Sequence, residues 1–88
     1  MDRHKVKRNE FRLGDGTAVN IEYWTDPTTV SVAAFGADGQ QASLAVYRAS
    51  VGSADALNPQ IQASLIDSMA NALEYALINH PELQIRKR

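Results

Sequence analysis

Few side chains in this sequence could do catalytic or metal-binding chemistry. The chain has two histidines, His4 and His80, and no cysteine. Neither histidine has a second metal ligand at a familiar spacing, and no Gly-x-Ser-x-Gly motif is present. Gly36-Ala37-Asp38-Gly39 is not followed by a helical pattern, so it indicates a hairpin turn and not a phosphate-binding loop. The sequence therefore predicts a protein that is not an enzyme and has no metal site and no cofactor.

The charged side chains are unevenly distributed along the chain. The segment 13–85 contains one arginine and eight acidic residues, whereas both ends are basic, and the formal net charge is −1. Basic ends are usually solvated tails or protection for an edge strand, and this is our first interpretation. The alternative is that they bind phosphate or an acidic partner. The candidate nucleic-acid-binding residues are then Arg3, Lys5, Lys7, Arg8, Arg86, Lys87 and Arg88.

The length of 88 residues and the hydrophobic fraction of 44% predict one small globular domain spanning residues 1–88. Within it, residues 1–8 form a basic N-terminal tail or edge strand, and residues 82–88 form a basic C-terminal tail. No apolar run approaches the ~18 residues that a membrane helix needs, and no apolar signal sequence follows the basic N-terminus. We therefore expect no membrane contact and a cytoplasmic location.

Three turn signals divide the first half of the chain. They are Gly14-Asp15-Gly16, Thr25-Asp26-Pro27-Thr28 and Ala37-Asp38-Gly39-Gln40, and they separate four β-prone runs. A long amphipathic pattern follows, opened by Asn58-Pro59 and ended before Pro81. This order predicts an α+β fold, in which a four-stranded antiparallel β-meander is followed by one C-terminal amphipathic helix packed on one sheet face (ββββα).

The turns also predict which residues face each other. A three-residue loop at the first turn places Phe11 opposite Val19, and a two-residue turn at Asp38-Gly39 places Phe35 opposite Ala42. A loop spanning 25–29 places Trp24 opposite Val30, although a slip of one residue there would exchange the two faces of the third strand. The predicted core face comprises Phe11, Leu13, Val19, Ile21, Tyr23, Ala33, Phe35, Leu44 and Val46. The predicted helix stripe that covers it comprises Ile61, Leu65, Ile66, Met69, Ala70, Leu73, Ala76 and Leu77.

The opposite face of the sheet provides the functional hypothesis. One helix covers one face, and under this register the other face is apolar as well. We therefore predict a small protein-protein interaction module, such as an adaptor, an inhibitor or a regulatory subunit, which uses this outer face to bind a protein partner or a second copy as a homodimer. The predicted partner-binding residues are Trp24, Val30, Val32, Tyr47 and Glu22.

Other interpretations of these residues stay open. The outer patch is modest if Trp24 folds over its own neighbours. Nucleic acid is the alternative partner, through the basic termini and the sheet-face aromatic residues, although the chain lacks the βαββαβ order of RNA-binding modules that work in this way. Tyr75 and Ile78 lean toward the polar side of the helix and form a second, smaller candidate contact.

Overall fold

The computed structural model describes residues 3–6, 11–13, 16–50 and 59–85, and within them an antiparallel sheet is followed by one long helix. The strands are β1 (His4–Lys5), β2 (Phe11–Arg12), β3 (Ala18–Asp26), β4 (Thr29–Gly36) and β5 (Tyr47–Ser50). Strand β3 pairs with β1 and β2 along one edge and with β4 along the other, and β5 pairs with β4. The predicted α+β fold is confirmed.

The first predicted strand is present as two short pieces on one edge of the sheet. β1 places His4 opposite Tyr23, and β2 places Phe11 opposite Val19 further along the same strand. The Leu13 amide donates to the Thr17 carbonyl at 2.9 Å, which closes the first hairpin in the predicted register. Short, charged edge pieces of this kind discourage pairing with another chain.

The predicted register of the middle hairpin is wrong by one residue. The loop is only Pro27-Thr28, because pairing continues through Thr25 opposite Val30 to Asp26 opposite Thr29. Proline is suited to a tight loop, since its fixed backbone angle favours a turn and it has no amide hydrogen to donate. Because opposed residues share a face, the slip moves every residue of β4 to the face opposite the predicted one.

The fourth predicted strand, which follows the turn at Asp38-Gly39, is also corrected. Only Tyr47–Ser50 is a regular strand, while Phe35 pairs with Gln41 instead of Ala42. Between these points the Ser43 side chain makes hydrogen bonds that a paired strand would otherwise make with its backbone. Its Oγ accepts a hydrogen bond from the Ala34 amide at 3.1 Å and donates to the Ala45 carbonyl at 2.9 Å. The side chain thus satisfies backbone groups that an interrupted strand would leave unpaired.

The chain beyond the helix forms part of the sheet layer. Ser43 forms an antiparallel bridge with Gln84, flanked by hydrogen bonds from the Leu44 amide to the Leu83 carbonyl and from the Ile85 amide to the Ala42 carbonyl. Residues 83–85 of the predicted C-terminal tail are therefore paired with the sheet.

The helix α1 spans Pro59–Asn79, as predicted, and a 3-10 turn at Pro81–Leu83 follows it. Asn58, which precedes Pro59 in the sequence signal for the start of the helix, lies outside the described residues. The buried residues of α1 are Ile66, Ala70, Leu73, Ala76 and Leu77, which confirms the centre of the predicted stripe. Ile61 does not belong to it, because it lies about 140° around the helix from Ile66 and is 58% exposed.

Candidate functional site

Three of the predicted partner-binding residues lie on the helix-covered side of the sheet. Val30 and Val32 are fully buried in the main core, and the half-buried Tyr47 packs against it opposite Val32. The cause is the register of the middle hairpin, which differs by one residue from the predicted register. The observed register turns these side chains of β4 and their β5 partners toward α1. Their predicted placement on the outer face is therefore wrong.

Trp24 and Glu22 do lie on the outer face, but the apolar residues there are buried. Trp24, Phe35 and Ala33 form a second cluster with relative exposures of 9%, 4% and 0%, and Val46 packs against it. The Trp24 and Phe35 rings meet edge to face with their centroids 6.1 Å apart, a favourable geometry for two aromatic rings. The expected exposed apolar surface on the outer face is thus not present among the described residues, and the predicted core residues Ala33, Phe35 and Val46 lie here instead.

Arg3 lies on this outer cluster and makes three different contacts. Its guanidinium carbon is 3.8 Å from the centroid of the Phe35 ring, and its Nη2 donates to the Gly39 carbonyl oxygen at 3.1 Å. Its Nε is 3.5 Å from Glu22 Oε1, and the Glu22 side chain is only 14% exposed. Charge, ring face and carbonyl dipole all favour a cation at this position. We call Phe35, Glu22 and Gly39 the guanidinium cradle.

The sequence carries no local signal for the guanidinium cradle. Its three members come from β3, β4 and the turn after β4, and Arg3 comes from the chain before β1. Only the register of the sheet brings them together: Lys5 pairs with Glu22, and β4 runs next to β3. Because the register was predicted with a slip, Glu22 was correctly placed on the outer face but Phe35 was not.

The basic residues of the nucleic-acid hypothesis are only partly described. Arg3 is engaged with the guanidinium cradle, and Lys5 is exposed in β1. Lys7, Arg8 and the segment 86–88 lie outside the described residues. Binding of nucleic acid by the termini stays a prediction.

Exposed large apolar side chains are found mainly on the helix. Tyr75 and Ile78 are 70% and 63% exposed, three residues apart and therefore adjacent on the helix surface. Ile61 lies at the other end of the same helix, and Leu44 is 62% exposed away from it, so the predicted core position of Leu44 is wrong. We call Tyr75 and Ile78 the helix patch.

The described residues also line an open cleft of about 640 Å³ beside the first hairpin. Leu13, Val19 and Ala42 contribute apolar surface to its walls, and Ile85 lies at the side formed by the chain after the helix. No pattern in the sequence indicated it, because it depends on the pairing of residues 83–85 with 42–44.

The histidines lie in separate places. His4 packs against the Tyr23 ring at a centroid distance of 5.3 Å, and His80 Nδ1 is 3.4 Å from Glu82 Oε1 at the helix end. Within the described ranges, no three His, Asp or Glu side chains are grouped so that they could hold a metal ion. Within those ranges, too, no helix has the length and apolar character needed to cross a membrane.

Comparison with known proteins adds no identity to this geometry. No protein-family model matches the chain, and no curated protein or solved structure matches it either. The class of protein that the fold defines is a small α+β domain with an antiparallel sheet and one C-terminal helix. Its function has to be inferred from its surfaces.

Proposed function

We propose that this chain is a small protein-interaction module that binds a partner protein through the helix patch. The observation that carries the proposal is the exposure of Tyr75 and Ile78 side by side on the solvent face of α1. Tyrosine is enriched among the residues that dominate binding energy, because it buries a large ring at little cost in side-chain entropy. The outer sheet face no longer supports this role, because its aromatic residues are buried.

The charge of the segment that contains the helix patch favours a basic partner over a second copy. The segment 59–85 contains Asp67, Glu74 and Glu82 and no lysine or arginine. Two copies meeting on this helix would bring acidic side chains toward acidic side chains, which is unfavourable. A partner with an apolar contact surrounded by lysine or arginine would gain from the same charges, most strongly at low ionic strength.

A defined probe tests this chemistry. Two synthetic amphipathic helices, one of Leu and Lys and one of Leu and Glu, are titrated into the full chain while backbone amide shifts are followed by NMR. We expect the Leu-Lys helix to shift resonances around Tyr75 and Ile78, with an affinity that falls as salt is added, and the Leu-Glu helix to leave them unchanged. Equal responses to both helices, or shifts that map elsewhere, would contradict the proposal.

Variants connect the probe to the helix patch. Tyr75→Ala removes an aromatic anchor, which costs about 2 kcal/mol in a typical interface and thus roughly 30-fold in affinity. Leu44→Ser is the matched control, since it removes an exposed apolar side chain elsewhere. Both variants should melt close to the unmodified chain because both sites are solvent-exposed. Light scattering at several concentrations tests whether a second copy of the chain binds the helix patch instead. If the chain is a dimer and Tyr75→Ala dissociates it, the partner of the helix patch is a second copy and not a basic protein.

A further inference from the structure

We infer that the guanidinium cradle is a binding site for an alkylguanidinium group, such as an arginine side chain. Arg3 fills it within one chain, and an arginine of another molecule can fill it when Arg3 is withdrawn. The inference is independent of the helix patch, which lies on a different element of the fold. It rests on the geometry of three groups that complement different parts of one planar cation.

The contacts discriminate guanidinium from ammonium. The Arg3 guanidinium carbon lies over the Phe35 ring, while its Nη2 and Nε atoms reach Gly39 and Glu22. A planar group with donors on several edges can make these contacts together, whereas a lysine ammonium is a compact point charge on its stem. The ligand class is therefore alkylguanidinium rather than cations in general.

Each member of the cradle has a support outside the segment that fills it. Phe35 makes an edge-to-face contact with Trp24, and Glu22 in β3 pairs with Ala33 in β4. The Gly39 carbonyl belongs to a turn closed by hydrogen bonds from the Gly39 amide to the Gly36 carbonyl and from the Gly36 amide to the Gln40 carbonyl. Gly39 has a φ of +80°, a conformation that glycine adopts without strain. None of these supports involves residues 3–6.

The segment that carries Arg3 is short and lies on the edge of the sheet. His4 packs on the Tyr23 ring, Val6 packs against the main core, and the Val6 amide donates to the Ile21 carbonyl at 3.0 Å. Short elements at a sheet edge open at a lower free energy than the whole domain. Opening this one removes the guanidinium from the largely buried Glu22 carboxylate and uncovers the Phe35 ring, so another guanidinium group would restore both contacts.

Chemical rescue of the full-length Arg3→Ala variant tests the inference. The variant should melt several degrees lower than the unmodified chain and change the fluorescence of Trp24, which packs against Phe35. Ethylguanidinium chloride in the millimolar range should shift the Gly39 amide resonance saturably and recover part of the lost melting temperature. Ethylammonium chloride at the same ionic strength should do neither, and the unmodified chain should show no saturable response because Arg3 fills its cradle.

Two further variants define the outcome. Arg3→Lys keeps the positive charge and replaces Arg3→Ala in the experiment if Arg3→Ala fails to fold. We expect Arg3→Lys, too, to respond to ethylguanidinium and not to ethylammonium. Adding Glu22→Gln to Arg3→Ala should abolish the response. A peptide with the sequence of residues 1–6 tests delivery by another molecule: its binding to Arg3→Ala should be lost when its own arginine is replaced by lysine. No saturable response, or equal responses to guanidinium and ammonium, would overturn the inference.

Discussion

The substitution Val32→Ala tests the register of the sheet most directly. The structure places Val32 on the helix-covered face, fully buried, opposite Tyr23 in β3 and Tyr47 in β5. The register predicted from the turn signals instead places it on the outer face, where truncation would weaken binding and leave the fold intact. The two arrangements therefore predict opposite effects of one substitution on stability.

The expected loss follows from the two methyl groups that the substitution removes. Deleting one buried methyl group typically costs about 0.5–1.5 kcal/mol, so two give about 1–3 kcal/mol. At about 0.05–0.15 kcal/mol per residue, a chain of this length has roughly 4–13 kcal/mol of total stability. A loss of about 2 kcal/mol lowers the melting temperature of such a domain by about 8–16 °C. This shift is large enough to measure without ambiguity.

The assay is thermal and urea unfolding of Val32→Ala, the unmodified chain and the control Leu44→Ala. Leu44 is 62% exposed, so its truncation should change the free energy of unfolding by no more than about 0.5 kcal/mol. The denaturant dependence should stay the same for all three, which would show that only stability has changed. If Val32→Ala melts together with Leu44→Ala at the temperature of the unmodified chain, the register described here is refuted.

Two further substitutions test the packing on either side of the sheet. Ser31 is 1% exposed, and its Oγ has no hydrogen-bond partner among the described residues. Because a buried unsatisfied hydroxyl is costly, Ser31→Ala should leave the free energy of unfolding unchanged or raise it by about 1 kcal/mol. A clear drop in the urea midpoint would reveal a partner for the hydroxyl. Leu73 is fully buried under the sheet, and Leu73→Ala should cost about 2–5 kcal/mol, whereas Tyr75→Ala on the same helix should leave the melting temperature nearly unchanged.

The elements whose signals are local could be predicted from the sequence. The helix bounds follow from Pro59, the spacing of the apolar residues and Pro81, all of which act within a few residues. The first hairpin was equally predictable, since the turn signal Gly14-Asp15-Gly16 predicts a register in which Phe11 lies opposite Val19, and this pairing is observed. In both cases the backbone geometry is decided by the residues that adopt it.

The faces of the sheet could not be predicted in the same way. The segment 25–29 fits a five-residue loop as well as the shorter loop that forms, and β4 is apolar on both sides, so its pattern does not say which side belongs to the core. Packing decides: the observed register places Val30, Val32 and Ala34 under the helix. Because successive side chains of a strand point to opposite faces, a register slip of one residue moves all the side chains of β4 to the other face of the sheet.

The same division applies to the candidate sites. The amino-acid pattern was enough to predict that an amphipathic helix follows an antiparallel sheet and that Tyr75 and Ile78 fall outside the apolar stripe, because helical periodicity is a local property. The burial of Trp24 in a cluster with Phe35, and the contacts of Arg3 with Glu22, Phe35 and Gly39, became visible only in the folded domain. Those contacts join residues from separate strands and a turn, and their positions follow from strand register, which depends on the packing of the whole domain.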